Sequence, residues 1–208
     1  MSAYDRSPMV LIRHAYSKYN HAMKTFNDGK TTKGPESHQE YIGLRSSKAL
    51  IDPALHEIGV KQARDQQDLV NRMTFSKVFV SPHVRTIQSA ALMLSSHPQK
   101  QDMVLVLLPL AKEIMHTSND LGLEFKHLEA FTSQISKEHG VKFDFSLFEP
   151  FRTKGIDTWY YQVLSNVEKR ENLMRECKDK HPHDVGCEAM ATSGYKCIEE
   201  NHDVFDRA

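Results

Sequence analysis

Three short apolar runs, each closed by polar or proline-bearing residues, constrain this chain more than any other feature. Residues 9–12 read Met-Val-Leu-Ile, follow Pro8 and end at Arg13-His14-Ala15. Residues 75–80 read Phe-Ser-Lys-Val-Phe-Val and stop at Ser81-Pro82, and residues 103–108 are followed by Pro109. Short, partly β-branched runs bounded in this way read as buried strands. Between them, residues 57–73 carry Val60, Ala63, Val70 and Met73 near helical spacing, and residues 84–95 carry Ile87, Ala91 and Leu94 on one side. This alternation predicts an α/β three-layer sandwich, a mostly parallel sheet with helices on both faces. Ligands in such sheets bind at the carboxyl ends of the strands. Residues 24–54 are polar and interrupted by Gly29, Gly34, Pro35, Gly43 and Pro53, which predicts a long loop of the kind that forms lids.

The pattern changes after residue 112. Residues 113–155 are mixed and rich in phenylalanine, including Phe125, Phe131, Phe143, Phe145, Phe148 and Phe151, a composition that suits core or lid packing. Residues 156–177 and 186–208 lean helical. The expected organisation is one domain over residues 1–208, with a helical and loop insertion at about 114–185. The charges balance, with 27 Lys+Arg against 27 Asp+Glu, which argues against non-specific nucleic-acid binding but not against a local anion pocket. No apolar run reaches the ~18–20 residues of a membrane span, and no signal peptide is visible. Three cysteines do not make a disulfide framework, so a cytoplasmic, reducing location is expected.

The chemistry sits where the runs end. Arg13 and His14 close the first, with Ser17 and Asn20 at spacings that return to the same spot one turn later. Arg85 opens the helix after the second run, at an end that already favours anions. Glu113 lies just beyond the third. Arginine offers a planar fork of donors to phosphate, and histidine serves as nucleophile or proton carrier near neutral pH. Two arginines, a histidine and a glutamate on one rim suit a phosphate ester.

These residues also carry a resemblance. Residues 11–20, Leu-Ile-Arg-His-Ala-Tyr-Ser-Lys-Tyr-Asn, resemble the Arg-His-Gly-x-Ser-x-x-Asn signature of the histidine phosphatase superfamily, in its phosphoglycerate mutase-like branch. Residues 52–63, from Asp52 through Leu55 and Gly59 to Gln62-Ala63, resemble its second block, Asp-x-x-Leu-Thr-x-x-Gly-x-x-Gln-Ala. Residues 81–90, Ser-Pro-His-Val-Arg-Thr-Ile-Gln-Ser-Ala, are similar to its Ser-Pro-x-x-Arg-x-x-Gln-Thr-Ala block. The resemblance implies a phosphomonoesterase with His14 as phosphorylated nucleophile, Arg13 and Arg85 as phosphate clamps, and Glu113 as general acid. Ser17 and Asn20 would line the pocket. It implies a small phosphorylated substrate, with no metal and no cofactor, because the arginines supply the positive charge.

The sequence departs from that pattern in places. Ala15 replaces a glycine, which is tolerable at negative φ, and His56 replaces a threonine at an expected helix N-cap, which weakens that cap. The resemblance also implies a second histidine on a late buried strand. Neither His139-Gly140 nor His202 sits in an apolar run, and the segment from Gly186-Cys187-Glu188 onward is similar to what precedes that strand. On this reading the chain stops short of it, and impaired turnover is expected. Phosphoglycerate mutase activity and a non-catalytic phosphate-binding or scaffold role are the alternatives. Of the remaining histidines, His83 neighbours the Arg85 loop, with contact to substrate as the less favoured reading. His21, His97, His116 and His127 are expected at the surface. Cys177, His181, His183 and Cys187 form a soft-ligand cluster that reads as a polar helix end rather than a zinc site.

Overall fold

The computed structural model describes residues 9–29, 35–152 and 158–193. Its elements begin with helices α1 (Lys18–Asp28), α2 (Pro35–Arg45), α3 (Glu57–Asp65) and α4 (Gln67–Val70). Strand β1 (Val78–Val80), helix α5 (Val84–Leu94), strand β2 (Val104–Leu107), helix α6 (Phe125–His139) and strand β3 (Lys142–Asp144) follow. Helices α7 (Trp159–Gln162), α8 (Val167–Glu176) and α9 (Pro182–Ser193) complete the described chain. The three strands lie in the order β1-β2-β3 and pair parallel throughout, with Val80 opposite Leu107 and Leu105 opposite Phe143. The α/β class with a parallel sheet is as the alternation predicts, and the architecture is consistent with a three-layer arrangement.

Helices α5 and α6 are the crossovers between consecutive parallel strands, and they pack on each other. The right-handed rule puts both on the same face of the sheet. Leu105 and Leu107 are fully buried, whereas Phe79, in register with Val106 and pointing to the opposite face, is 55% exposed. The core runs without interruption from Ala15 through Ile87 and Leu105 to Trp159 and Met190. The phenylalanine-rich stretch packs as expected of it. Phe148 is fully buried and meets the rings of Phe125, Phe145 and Trp159 at 5.5–5.6 Å.

Several expectations are corrected. Residues 9–12 form no strand, and Leu11 is 84% exposed. An apolar run becomes a strand only when it joins a sheet ladder, and residues 9–12 belong to none of the described strands. Residues 24–54 are not a long loop, because α1 and α2 occupy much of them. The glycine and proline taken as breakers instead mark helix ends. Gly29 is the C-cap of α1, in a right-handed conformation, and Pro35 is the first residue of α2, where a proline's missing N–H breaks no helical bond. Strand β3, with a single apolar residue, was not anticipated. His97 is buried, its Nε2 3.1 Å from the Met73 carbonyl. His56 does cap α3, with Nδ1 accepting from the Ile58 N–H at 3.3 Å.

One glycine sets how closely the pieces approach. Helix α3 passes the Tyr16 backbone at Gly59, where an added Cβ would overlap the Tyr16 carbonyl. The Gly59→Ala variant must separate the two segments. Urea unfolding of that variant is expected to show a stability loss of about 1–3 kcal/mol, in the range of overpacking substitutions.

Candidate functional site

The chain around His14 is laced to two helices by polar residues of the other motif blocks. The Ala15 N–H donates to Ser89 Oγ at 2.9 Å, and the Ser89 hydroxyl donates to the Arg85 carbonyl at 2.7 Å, one turn back on α5. The Tyr16 N–H donates to Gln62 Oε1 on α3 at 3.0 Å. The His56 N–H donates to the Tyr16 carbonyl, and the Lys18 N–H to the Ala54 carbonyl, both at 3.0 Å. The Leu55 N–H donates to Gln88 Oε1 at 2.8 Å. Gln62, Gln88 and Ser89 thus convert three separated sequence blocks into one rigid corner. Sequence reasoning quoted them as motif letters but assigned them no role.

His14 is half-buried in this corner, with Nδ1 2.8 Å from the Ala15 carbonyl. A carbonyl only accepts, so the proton sits on Nδ1 and the Nε2 lone pair is left for chemistry. Burial lowers the His14 pKa below 6.5, with further lowering from the Arg85 and Arg13 charges; the Ala15 carbonyl and the Glu113 charge oppose this. His14, Arg13 and Asn20 line one pocket of about 530 Å³. Arg13 forms no ion pair among the described residues and is exposed at the rim.

The other candidates stand around this pocket rather than in its lining. Ser17 is buried and caps α1 in a reciprocal capping box with Asn20, which makes it a helix-start residue. Glu113 is exposed and acts on His14 through its charge. Arg85 is only 1% exposed. Its Nη1 donates to the Asn119 carbonyl at 2.7 Å and lies 3.7 Å from Asp52, and its Nη2 lies 3.5 Å from Asp120. His83 is buried with Nδ1 3.2 Å from Asp52 Oδ1, so its site is the core and not a substrate surface.

Sequence reasoning quoted Asp52 only as a motif letter and missed Asp120. Asp52 holds a left-handed backbone at φ 37°, and its carboxylate accepts from the Val84 N–H at 3.0 Å and the Leu123 N–H at 3.3 Å. Asp120 accepts from the Thr117 N–H at 2.8 Å and the His116 N–H at 3.1 Å. Arg45, also buried, donates to the His116 carbonyl at 2.6 Å on the far side of the same turn. The available signal was chemical: an arginine read as buried at a helix start requires buried carboxylates near it.

The remaining histidines and cysteines are accounted for locally. His139 ends α6, where Gly140 adopts φ 68° as its C-cap; this is a helix terminus and not a phosphate site. His202 lies outside the described residues. His181 reaches Glu124 at 3.1 Å, and His183 Nε2 lies 3.0 Å from the Gly122 carbonyl. Cys177 and Cys187 are buried free thiols, raised to about 11 chiefly by burial. Among the described residues no group of three or more metal-ligating side chains is gathered, and no helix is long and apolar enough to cross a membrane.

The pocket thus brings together a histidine with a fixed tautomer and an arginine. Residues 42–117 match the family model of the histidine phosphatase superfamily (branch 1), and the recognition made from the motifs is borne out. The matched span contains the second and third blocks, Arg85 and Glu113; the Arg13–His14 block precedes it. The match supports phosphatase- or mutase-type activity. No curated protein matches the chain.

Two outcomes follow from this geometry. Because the folded-state pKa of His14 is lowered, the fold favours the neutral ring. The imidazole is expected to titrate below 6.5 in ¹H–¹³C NMR, and its stability contribution is lost as the pH falls from 6.5 through the folded-state value. Replacing Asp52 by Ala leaves Arg85 and His83 without their shared carboxylate. A loss of about 3–5 kcal/mol in chemical denaturation is expected, as for removal of one partner of a buried ion pair.

Proposed function

We propose that the chain is a histidine-type phosphomonoesterase that works through a phosphohistidine on His14. The observation that supports this best is the Nδ1 contact to the Ala15 carbonyl, which frees Nε2 beside Arg13 in a pocket of small-molecule size. In the first step the phosphoryl group moves from the ester oxygen to Nε2: the P–O bond breaks, the N–P bond forms, and Glu113 protonates the departing alkoxide. In the second, water attacks phosphorus, the N–P bond breaks and Glu113 takes up the water proton. Arg13 and the field of Arg85 offset charge on the transferring group. Ser17 fixes the start of α1, and Asn20 contacts the ligand. The free buried thiols support the reading of a reducing, cytoplasmic setting.

A second reading, phosphate binding without turnover, is favoured by two observations. Arg85 is engaged by two carboxylates, and His14 is the one histidine lining the pocket among the described residues.

Hydrolysis of p-nitrophenyl phosphate, combined with acid-quench trapping of labelled phosphoenzyme, separates the two readings. Turnover with a phosphohistidine that His14→Ala reduces by ~10³-fold or more supports the esterase, and Glu113→Gln then slows it by roughly 10²-fold. Vanadate binding with neither turnover nor a trapped intermediate establishes the binding role. Isomerisation of 3-phosphoglycerate in place of net hydrolysis identifies a mutase.

A further inference from the structure

Arg85 stands near the His14 pocket without lining it. Its charge reaches His14 and lowers the pKa of the ring. Its backbone is fixed, because the Ser89 hydroxyl donates to the Arg85 carbonyl at 2.7 Å. Any change in where its guanidinium lies is therefore a matter of side-chain torsions.

The guanidinium is poorly satisfied where it lies. It carries five N–H donors and is buried. Among the described residues it makes one strong hydrogen bond, from Nη1 to the Asn119 carbonyl at 2.7 Å. The carboxylates of Asp52 and Asp120 lie at 3.7 and 3.5 Å, beyond the ~2.7–2.9 Å of a charge-assisted hydrogen bond. Arg85 Nε has no partner among the described residues, and neither do Asn119 Oδ1, Ser118 Oγ and His83 Nε2 in the same network. Buried donors and acceptors left unpaired cost free energy, so an arrangement that satisfies the arginine competes with this one.

Asn119 and Asp120 belong to the turn at residues 116–120, and two helices grip that turn. Arg45 of α2 donates through Nη2 to the His116 carbonyl at 2.6 Å. Tyr19 of α1 is hydrogen-bonded to the Thr117 side chain, and the Thr117 N–H donates to Asp120 Oδ2 at 2.8 Å. No residue of α1 is buried, so the core does not fix that helix, and its Asn20, Met23 and Asn27 line the pocket. A ligand in the pocket therefore touches the helix whose Tyr19 holds the turn that holds Arg85.

We propose that Arg85 is a latent phosphate clamp: the turn at residues 116–120 retains it away from the His14 pocket, and displacement of α1 by a ligand releases it. This rests on the reading of His14 and Arg13 as a phosphate site. A phosphate at His14 offers the arginine fork two oxygens in place of two distant carboxylates. The ligand shifts the balance by the contacts it gains from the released arginine and by no more than that.

Titration of the full chain with inorganic phosphate, followed by calorimetry and by the ¹H–¹⁵N signal of Arg85 Nε, tests this; the signal is assigned by its loss in Arg85→Lys. In the wild-type chain it is expected to move on saturation with phosphate. Asp120→Asn keeps an oxygen for the Thr117 and His116 N–H groups and turns an NH₂ toward Arg85. It is expected to bind phosphate about fivefold more tightly, at the low end of coupling between interacting sites. Tyr19→Phe is expected to give a smaller gain that disappears in the Asp120→Asn background. An Arg85 signal unmoved by bound phosphate, or an affinity unchanged or weakened in a folded Asp120→Asn chain, overturns the proposal while leaving the phosphate site intact. A Tyr19→Phe chain with unchanged affinity, or with the same gain in both backgrounds, overturns the release through α1. Where Asp120→Asn does not fold, the wild-type Arg85 signal decides. Phosphate binding that is absent, or insensitive to Arg13→Ala and His14→Ala, overturns the underlying site as well.

Discussion

The carboxylate of Asp52 is the constraint on which the rest of the site depends. It lies in the core at a position where the backbone is left-handed, a conformation that costs a non-glycine residue of order 1 kcal/mol or more. In exchange it engages the start of α5 at Val84, the His83 ring, the Leu123 amide and the Arg85 guanidinium. It therefore ties together the loop before α3, the first turn of α5 and the segment leading to α6. Arg85 in turn fixes the α5 turn that carries Ser89, and Ser89 holds the amide next to His14. The position of the His14 ring is thus tied to a buried ion network on another segment of the chain.

That hierarchy explains which parts of the molecule were legible in the sequence. Helix α5 and strands β1 and β2 were readable because their apolar residues recur at the period of the element and are buried as the period requires. The Arg13-His14 pair was readable because its chemistry is dense and local. Asp52 and Asp120 were not, because a lone aspartate carries no signature of burial; its partners come from segments distant in sequence. Their place becomes visible only once Arg85 is known to be inside.

The misread segments share one cause. Glycine and proline between residues 24 and 54 were taken as signs of irregular chain. Gly29 and Pro35 are the ends of two helices, so the same residues that break an element also delimit it. The run at residues 9–12 errs in the opposite direction. Apolar content measures a tendency to be buried, whereas a strand also needs a neighbour with free backbone groups, and composition does not report on neighbours. Strand β3 shows the converse: pairing with β2 makes a strand of Lys142-Phe143-Asp144, whose side chains alone would not.

The half-open face of the sheet has a consequence for the molecule in solution. Phe79, Val104 and the apolar residues Leu11 and Ile12 all meet water, and among the described residues β1 is an edge strand. Such surfaces are adhesive, and colloidal behaviour is set by them more than by net charge when the net charge is zero. The edge is three residues long and is preceded by Lys77, two features that blunt strand-to-strand growth. The chain thus combines a tightly bolted interior with a sticky exterior, and crowding acts on the exterior first.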